Sequence, residues 1–292
     1  MIKPADMSGA TRGILLMLAA TLLAAFMNIV ARHVSATVHP YMVVYFRVLF
    51  GLLFIGPFVL RSGLAVFRTR RIGMHLFRAS LNVVNMMCFF SAVAITPLAE
   101  LVALNFTAPV FATLLAVLIL REVVGVRRWA AILVGFAGAM IIVRPGFGDV
   151  SPGHLLALGS AISWACVILV VKDLSRTESS ITIVAYMTVL MAPVSMVPAL
   201  FVWQWPTPAE LGWLAVMGVV GTGVHFTVAQ ALREADLSTI LPFDFTKLIW
   251  IAILAYLIFG EVPTIATWIG GTVIFASGIY IAQREAMARR KG

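Results

Sequence analysis

The chain repeats itself in two stretches, LNFTAPVFATLLAVLILREVVGVRRW (104–129) and FDFTKLIWIAILAYLIFGEVPTIATW (243–268). They align without a gap at an offset of 139 positions. The matched pairs include Phe106/Phe245, Thr107/Thr246, Leu115/Leu254, Ala116/Ala255, Glu122/Glu261, Val123/Val262 and Trp129/Trp268. Two apolar helices often resemble each other by chance, because both are built from few residue types. A shared Glu-Val and a shared Trp at one offset are harder to obtain by chance, so the pattern predicts a duplicated unit.

The composition around these stretches is that of a membrane protein. Of the 292 residues, 62% are apolar or aromatic and 11% are charged, and the mean hydropathy is +1.03. A soluble domain is about 45–50% apolar and about 25% charged. These values exclude a soluble enzyme, a disordered chain and a disulfide scaffold. Cys88 and Cys166 both lie in apolar runs, where cysteine is predicted to pack as a small apolar residue.

A transmembrane helix needs about 20 predominantly apolar residues. The chain contains ten such runs, at 13–31, 41–60, 73–94, 98–120, 128–143, 154–171, 181–202, 210–231, 237–259 and 264–282. The connections between them are short, and few segments alternate as barrel strands do. We therefore predict an all-α membrane protein with ten transmembrane helices. The first span lacks a cleavage-site pattern and is expected to remain as an anchor.

The basic residues predict the orientation of these spans. With the amino terminus inside, 17 of the 21 Lys and Arg residues fall in inner segments, while Arg32 and Arg144 fall outside. This asymmetry predicts a bacterial-type cytoplasmic (inner) membrane protein with both termini cytoplasmic. The formal net charge of +9 is then a topology signal. No folded basic module exists to present it to nucleic acid, so no nucleic-acid partner is expected.

Five spans in each unit is an odd number, so the second unit must lie upside down relative to the first. The predicted units are 1–146, with helices 1–5, and 147–292, with helices 6–10. Two inverted five-helix repeats are the architecture of many secondary transporters, in which the repeats rock around a midplane site. A duplication that only built a stable bundle is the alternative interpretation.

Further residues match a known family: Pro40, Arg47, Arg78, Phe89-Phe90-Ser91-Ala92, Pro97-Leu98-Ala99-Glu100, Pro109, Glu122, Arg128-Trp129, Gly135, Gly138, Arg144-Pro145-Gly146 and Glu261. With them the chain resembles EamA-type ten-helix transporters of the drug/metabolite transporter superfamily. Relatives include YddG-type amino-acid exporters and carriers resembling S-adenosylmethionine or riboflavin permeases. The resemblance implies a central cavity lined by spans 1–4 and 6–9, with spans 5 and 10 peripheral. The second unit has Leu248 in place of Pro109, so the two units are expected to contribute unequally to the site.

Charged residues within spans are costly, from about 2.5 kcal/mol upward at the centre. Asp244 and Lys247 in span 9 lie three residues apart and so share one helix face. Pro242 just before them predicts a kinked or loosened helix. Lys247 could attract the carboxylate, and Asp244 the ammonium group, of an amino acid. A self-neutralising structural pair is the alternative.

Other polar residues give further candidates. Asn82 and Asn85 continue a polar stripe from Arg78, which either lines a wet cavity or bonds neighbouring helices. Asn105 occupies the repeat position of Asp244, and the symmetry predicts both near the midplane. Arg47 is interpreted as a structural clamp on carbonyls or a carboxylate in preference to a substrate contact. Arg78, Pro109 and Pro242 complete the structural or gating set. His225 is a candidate proton carrier.

Trp164, Tyr186, Trp250 and Phe106 are candidates for an apolar cavity wall, with ordinary packing as the alternative. Asp244 has no second buried carboxylate beside it in the sequence, so no catalytic pair and no enzyme activity are expected. No group of Asp, Glu, His or Cys has the spacing of metal ligands, and neither a metal nor another cofactor is expected. The predicted function is export of small metabolites, first of all neutral or aromatic amino acids. A larger metabolite such as S-adenosylmethionine or riboflavin, or a drug, is the alternative. Expected partners are this small-molecule substrate and the lipid bilayer, for a monomer or weak homodimer.

Overall fold

A computed structural model describes residues 9–61, 67–120, 126–143, 151–174, 177–178, 180–234 and 243–289. Within those ranges the chain is helical and no strand occurs. The helices are α1 (Gly9–Val34), α2 (Pro40–Arg61), α3 (Ile72–Ile95), α4 (Leu98–Asn105), α5 (Ala108–Leu120), α6 (Val126–Val143), α7 (Pro152–Leu174), α8 (Ser180–Leu200), α9 (Pro208–Glu234), α10 (Thr246–Phe259) and α11 (Ile265–Arg289).

These helices supply ten apolar stretches, since α4 and α5 follow each other in one of them. Five stretches are long and apolar enough to cross a membrane: Thr11–Val34, Ile72–Ile95, Leu98–Leu115, Pro152–Val171 and Pro208–Val228. Five shorter apolar helices are Pro40–Phe54, Trp129–Val143, Ala185–Leu200, Thr246–Phe259 and Ile265–Tyr280. The predicted all-α architecture of ten membrane helices is confirmed. The structure differs from the prediction in span 98–120, which it divides into α4 and α5.

Eight of the ten stretches pack side by side in a closed ring. Around the ring, α2 contacts α9, α9 contacts α1, α1 contacts α10, and α10 contacts α4. The ring continues from α4 and α5 to α7, from α7 to α3, from α3 to α8, and from α8 back to α2. The remaining helices, α6 and α11, pack against each other and against α4 and α5, outside the ring. This division into eight ring helices and two outer helices agrees with the arrangement implied by the family resemblance.

The packing is symmetric when the two repeats are exchanged. The contact of α1 with α9 is equivalent to that of α7 with α3, and α2 with α9 is equivalent to α8 with α3. Single residues obey the same offset of 139 positions. A Cβ on Gly135 would lie 3.0 Å from Ser277 Oγ, and a Cβ on Gly138 would lie 2.8 Å from Ile274 Cγ1. Gly135 is equivalent to Ile274, and Gly138 is equivalent to Ser277, so exchanging the repeats turns one contact into the other. The repeat in the sequence is therefore also a two-fold relation in space.

The helix ends form two faces of the bundle. At one face, here called the basic end, the start of α1 meets the end of α9 through Arg12 and Glu234 at 4.0 Å. The start of α3 meets the end of α7 there through Arg71 and Asp173. Neighbouring helices of opposite repeats therefore run antiparallel, as two inverted five-helix repeats require. The other face is called the opposite end.

Candidate functional site

Two helices of the ring are interrupted at equivalent positions. The chain leaves α4 through a tight turn, in which the Phe106 and Thr107 amides donate to Ala103 O at 3.2 Å and Leu104 O at 3.0 Å. Pro109 has no amide proton, so the regular hydrogen-bond ladder cannot run through this point. In the second repeat, Phe245 is the turn residue before α10. Both turns are held by a threonine side chain.

The threonine bonds at the two interruptions are equivalent. Thr107 Oγ1 donates to Leu104 O at 2.6 Å, and Thr246 Oγ1 donates to Phe243 O at 2.6 Å. Discontinuous helices with unwound backbone are a frequent feature of substrate sites in transporters. Pro242, which was predicted to kink this helix, lies outside the described residues.

The two interruptions meet inside the bundle. The Phe106 and Phe245 rings have centroids 5.7 Å apart. A residue can touch its own repeat equivalent only close to the two-fold axis, and in an inverted repeat that axis lies in the membrane plane. The Phe275 ring stacks on Phe245 at 4.5 Å and lies 5.6 Å from Phe106. These three rings, the aromatic cluster, therefore mark the middle depth of the bundle, where the two interruptions meet the outer helix α11.

A pair of opposite charges lies beside the aromatic cluster. Lys247 Nζ is 3.9 Å from Asp244 Oδ1 and 5.0 Å from the centre of the Phe106 ring. The adjacent Thr246 hydroxyl bonds Thr21 Oγ1 on α1 at 2.9 Å, so this face of α10 is turned toward α1 and α4. The Lys247 and Asp244 side chains nevertheless keep 25% and 31% of their surface exposed. The pair therefore neutralises itself, and both side chains stay partly exposed.

Three asparagines connect α3 and α4 to the second repeat. Ser160 on α7 donates its hydroxyl to Asn105 Oδ1 at 2.9 Å, and its carbonyl accepts from Asn85 Nδ2 at 2.7 Å. Asn82 is buried and donates to Met191 Sδ on α8 at 3.5 Å. All three amides thus bond protein groups, and their contact with substrate stays a prediction.

The two predicted intramembrane arginines have different surroundings. Arg78 is buried and donates to Ile183 O at 3.1 Å and to Met187 Sδ at 3.4 Å, both on α8. Arg47 is partly buried and donates to Met86 Sδ at 3.5 Å. Arg78 therefore holds α3 against a backbone carbonyl of α8, whereas Arg47 has a sulfur atom as its one hydrogen-bond acceptor among the described residues.

The remaining candidates are dispersed. Tyr186 donates to Phe67 O at 2.6 Å and stacks on His75 at 4.5 Å, close to the start of α3 at the basic end. Trp250 packs against the core, and its buried Nε1 has no acceptor among the described residues. Trp164 on α7 is 40% exposed. The His225 side chain lies outside the described part of α9. The roles proposed for these four residues stay predictions.

Sequence reasoning nominated Phe106 but missed several residues of the central site: Phe245, Phe275, Thr21, Thr107, Thr246 and Ser160. Phe245, Thr107 and Thr246 stand in the repeat alignment itself, and Phe275 is the repeat equivalent of Phe136. A pair of identical residues at the turn of an inverted repeat was therefore the available signal. Thr21 and Ser160 are also one offset apart, and each bonds a residue beside one of the two interruptions, Thr246 and Asn105 respectively.

The opposite end is tied together by Arg32 at the end of α1. Arg32 pairs with Glu261 at 3.1 Å and donates to Val93 O and, at 3.4 Å, to Thr96 O on α3. Glu261 also accepts from the Leu98 amide at the start of α4, at 3.0 Å. We name this group, Arg32, Glu261, Val93, Thr96 and Leu98, the clasp. It joins α1, α3, α4 and the end of α10.

The clasp coincides with a departure from two-fold symmetry. α1 contacts α3, whereas the equivalent helices α7 and α9 make at most a marginal contact within the described ranges. Likewise α2 packs against α3, and the equivalent pair α8 and α9 lacks a comparable contact there. The first repeat is therefore drawn together more tightly than the second.

A surface cleft of about 650 Å³ lies at the opposite end, between 35–40 and 200–204. It is far along the helices from the aromatic cluster and lined by the connections between helices. Within the described residues, no group of three His, Cys, Asp or Glu side chains is placed to hold a metal. The central site consists of the aromatic cluster, the Lys247–Asp244 pair and the polar contacts to Thr21 and Ser160.

The profile of the EamA-like transporter family matches residues 11–144 and 151–283, once in each repeat. The chain belongs to the EamA-like transporter family. It is therefore a membrane transporter of the EamA type, as the residue pattern indicated.

Several curated relatives of this EamA-type chain are named for their solutes. The riboflavin transporter of Vibrio cholerae is 38% identical over 227 residues, 77% of this chain and 76% of the relative. The S-adenosylmethionine uptake transporter of Rickettsia bellii is 29% identical over 264 residues, 90% and 91% of the two chains. The pseudopaline exporter of Pseudomonas aeruginosa is 27% identical over 278 residues, which are 94% of this chain and 96% of the relative. A crystal structure with 19% identity superposes with a TM-score of 0.62 over 96% of this chain and 98% of that one, which supports the fold.

Proposed function

We propose that this transporter carries a metabolite with a flat ring system, such as riboflavin or S-adenosylmethionine, by alternating access around the aromatic cluster. The observation that carries the proposal is the contact of Phe106 and Phe245 at two paired helix interruptions, with the Phe275 ring stacked on Phe245. Aromatic side chains bind ring systems through their faces, and a few polar groups beside them fix orientation. Lys247 and Asp244 are those polar groups.

The relatives support a solute of this kind. Two of the relatives described above are named for riboflavin and S-adenosylmethionine, both of which carry fused ring systems. The names of the relatives include uptake and export, so they do not favour one direction. Export, which the sequence predicted, stays a prediction, and so does the choice between proton coupling and facilitated diffusion.

The membrane orientation belongs to the same proposal. The basic end would face the cytoplasm of a bacterial inner membrane, because Lys and Arg concentrate in its connections. The clasp would then close the outer side. Alternating access requires the two ends to open in turn, and the tighter contact of α1 with α3 than of α7 with α9 supports a state closed at the clasp.

Amino-acid transport is the second candidate, and the Lys247–Asp244 pair favours it. The two charges lie 3.9 Å apart and partly exposed, so the carboxylate and ammonium groups of one amino acid could separate them. An aromatic amino acid would also use the ring faces of the cluster.

The test is counterflow in liposomes that contain the purified protein. Vesicles loaded with unlabelled solute are diluted into labelled riboflavin, S-adenosylmethionine or tryptophan, with protein-free vesicles as the control. We expect saturable accumulation of riboflavin or S-adenosylmethionine. Accumulation of tryptophan alone would replace the first candidate by the second. No accumulation of any of the three by folded protein would contradict both candidates.

A further inference from the structure

Arg47 carries a guanidinium in the interior of the ring, and no oxygen of the described residues binds it. Its Nη1 reaches Met86 Sδ at 3.5 Å, and its Cζ lies 5.8 Å from the centre of the Phe90 ring. Its Nε atom is buried and has no acceptor. Among the described residues, no backbone carbonyl, carboxylate or hydroxyl accepts a hydrogen bond from Arg47. The structural clamp predicted for it is therefore not formed with these residues.

Arg47 differs in this respect from the other arginines inside the bundle. Arg78 donates to the carbonyl of Ile183, and Arg32 has the carboxylate of Glu261. A thioether sulfur is a weak acceptor, whereas a guanidinium has five donors arranged for two parallel bonds to an oxyanion. A charge within the membrane is costly and calls for a partner or a function.

The helix facing Arg47 is shaped to hold the guanidinium. A Cβ on Gly221 of α9 would lie 2.9 Å from Arg47 Nη2 and 3.2 Å from its Nε. One turn earlier, a Cβ on Gly218 would lie 3.0 Å from the Arg47 carbonyl and 2.7 Å from Phe50 Cβ. Only glycine at both positions lets α2 and α9 approach this closely, and the guanidinium occupies the space left at Gly221.

The position of Arg47 in the ring adds an independent argument. In the ring, α2 is separated from the interrupted helices by α9 and α1 on one side and, because it packs directly against α3, by α3 and α7 on the other. Arg47 therefore lies on the wall across the ring from Lys247 and the aromatic cluster. A solute with a ring at one end and an anionic group at the other would meet both walls.

We propose that Arg47 is an oxyanion subsite, which binds the carboxylate or phosphate of the transported solute. Met86 Sδ is the weak acceptor that the oxyanion displaces. The subsite rests on the proposed function and narrows it to a solute that carries both a ring system and a carboxylate or phosphate group, as S-adenosylmethionine does and riboflavin does not. A bidentate guanidinium–oxyanion pair is stronger and more directional than the sulfur contact it replaces.

The test uses the full chain, purified in a detergent without phosphate or carboxylate groups. Its thermal midpoint is followed while sodium phosphate, and separately sodium acetate, replaces sodium chloride at constant ionic strength. For the wild type we expect a saturable rise with at least one of the two anions, larger for phosphate if the solute carries a phosphate group. Arg47→Met should lose at least about tenfold in anion affinity, because the bidentate charged contact disappears.

Two methionine variants complete the design. Met86→Leu should bind the anion at least as tightly as the wild type, because no sulfur competes for Nη1. Met191→Leu makes the same change beside Asn82 and should titrate like the wild type. No rise in the wild type, or an equal rise in Arg47→Met, would overturn the subsite. If Arg47→Met does not fold, Arg47→Lys replaces it: weakened titration supports the subsite, and unchanged titration overturns it.

These outcomes are distinct from failure of the proposed function. Counterflow of riboflavin, S-adenosylmethionine and tryptophan tests transport, whereas phosphate and acetate titrations test Arg47 alone. Loss of all counterflow with an intact, Arg47-dependent titration would contradict the proposed function and keep the subsite. Counterflow of at least one of the three solutes, without an effect of phosphate or acetate on the thermal midpoint, would support the proposed function and contradict the subsite.

Discussion

Phe106 and Phe245 occupy the same position in two inverted repeats, and their rings lie 5.7 Å apart. Each is followed by a threonine whose hydroxyl bonds the carbonyl three residues before it, at 2.6 Å in both cases. The contact therefore joins two identical turns across the two-fold axis. In a carrier that works by rocking one repeat against the other, this is the place that both states share.

Lys247→Met and Asp244→Asn each remove one member of the charged pair beside the cluster. We expect either change to lower the counterflow rate by about tenfold, equivalent to about 1.4 kcal/mol of lost interaction free energy. Both side chains are partly exposed, so the purified variants should keep the wild-type helical content by circular dichroism. Lys247→Arg, which keeps the charge, is the matched control. Unchanged flux in both single variants would remove the pair from the site.

Ser160→Ala removes the hydroxyl that bonds Asn105 and leaves the carbonyl that accepts from Asn85. Interhelical hydrogen bonds in membrane bundles contribute about 0.6 kcal/mol on average, and we expect a loss of that order. The free energy of unfolding in mixed micelles measures it. Ser163→Ala is the matched control, because the Ser163 hydroxyl donates to Gly159 O within its own helix. Equal effects of the two substitutions would mean that the contact between α7 and α4 stabilises nothing.

Glu261→Gln weakens the clasp by removing the charge that faces Arg32 and the strong acceptor of the Leu98 amide. The opposite end should then open more often. The readout is the labelling rate of a Thr96→Cys variant, with Cys88 and Cys166 replaced by serine, by a membrane-impermeant maleimide. Thr96 is 1% exposed, so a severalfold faster reaction reports opening.

Glu210→Gln is the control for the clasp, because Glu210 bonds Thr37 and Thr207 at the same end of the bundle without touching α3. Its labelling rate should equal that of the parent. A Glu261→Gln variant that labels no faster than Glu210→Gln would show that the clasp does not restrain this end.

Gly138→Ala tests the crossing of the two outer helices. A Cβ there would lie 2.8 Å from Ile274 Cγ1 and 2.9 Å from Gly270 O, so the helices must separate. Overpacking of this kind costs about 1–3 kcal/mol of unfolding free energy. Gly212→Ala, with no atom within 4 Å of the new methyl group, should be close to wild type in thermal midpoint. A wild-type midpoint for Gly138→Ala would contradict the close crossing of α6 and α11.

Composition and periodicity were enough to predict the fold class. The offset of 139 positions, read from Phe106/Phe245 and Glu122/Glu261, predicted two inverted units because five spans is an odd number. The division of span 98–120 was not predicted, although Pro109 was noted. A proline can kink or end a helix, and the outcome here depends on the threonine turn and on the contact with the other repeat.

The candidate site was less accessible from sequence, because the rotation of each helix in the ring is decided by packing. Asp244 and Lys247 were found because charges in spans are rare. Arg47 was assigned a carbonyl or carboxylate partner, and the structure places Met86 Sδ there. Residue types alone do not tell which neighbouring helix faces an arginine, since methionine and carbonyl groups are present on all of them.

The central claim is that the solute binds at the paired helix interruptions. It is tested most directly by counterflow of labelled riboflavin or S-adenosylmethionine with Phe245→Ala, compared with Phe111→Ala. Phe111 on α5 forms an aromatic pair with Phe136 on the outer helix α6, with ring centroids 5.2 Å apart. We predict a saturable flux in the wild type. Its KM should rise about tenfold in Phe245→Ala, because the lost aromatic contact is worth about 1.4 kcal/mol. The KM should be unchanged in Phe111→Ala. The same KM in Phe245→Ala as in the wild type would contradict the claim.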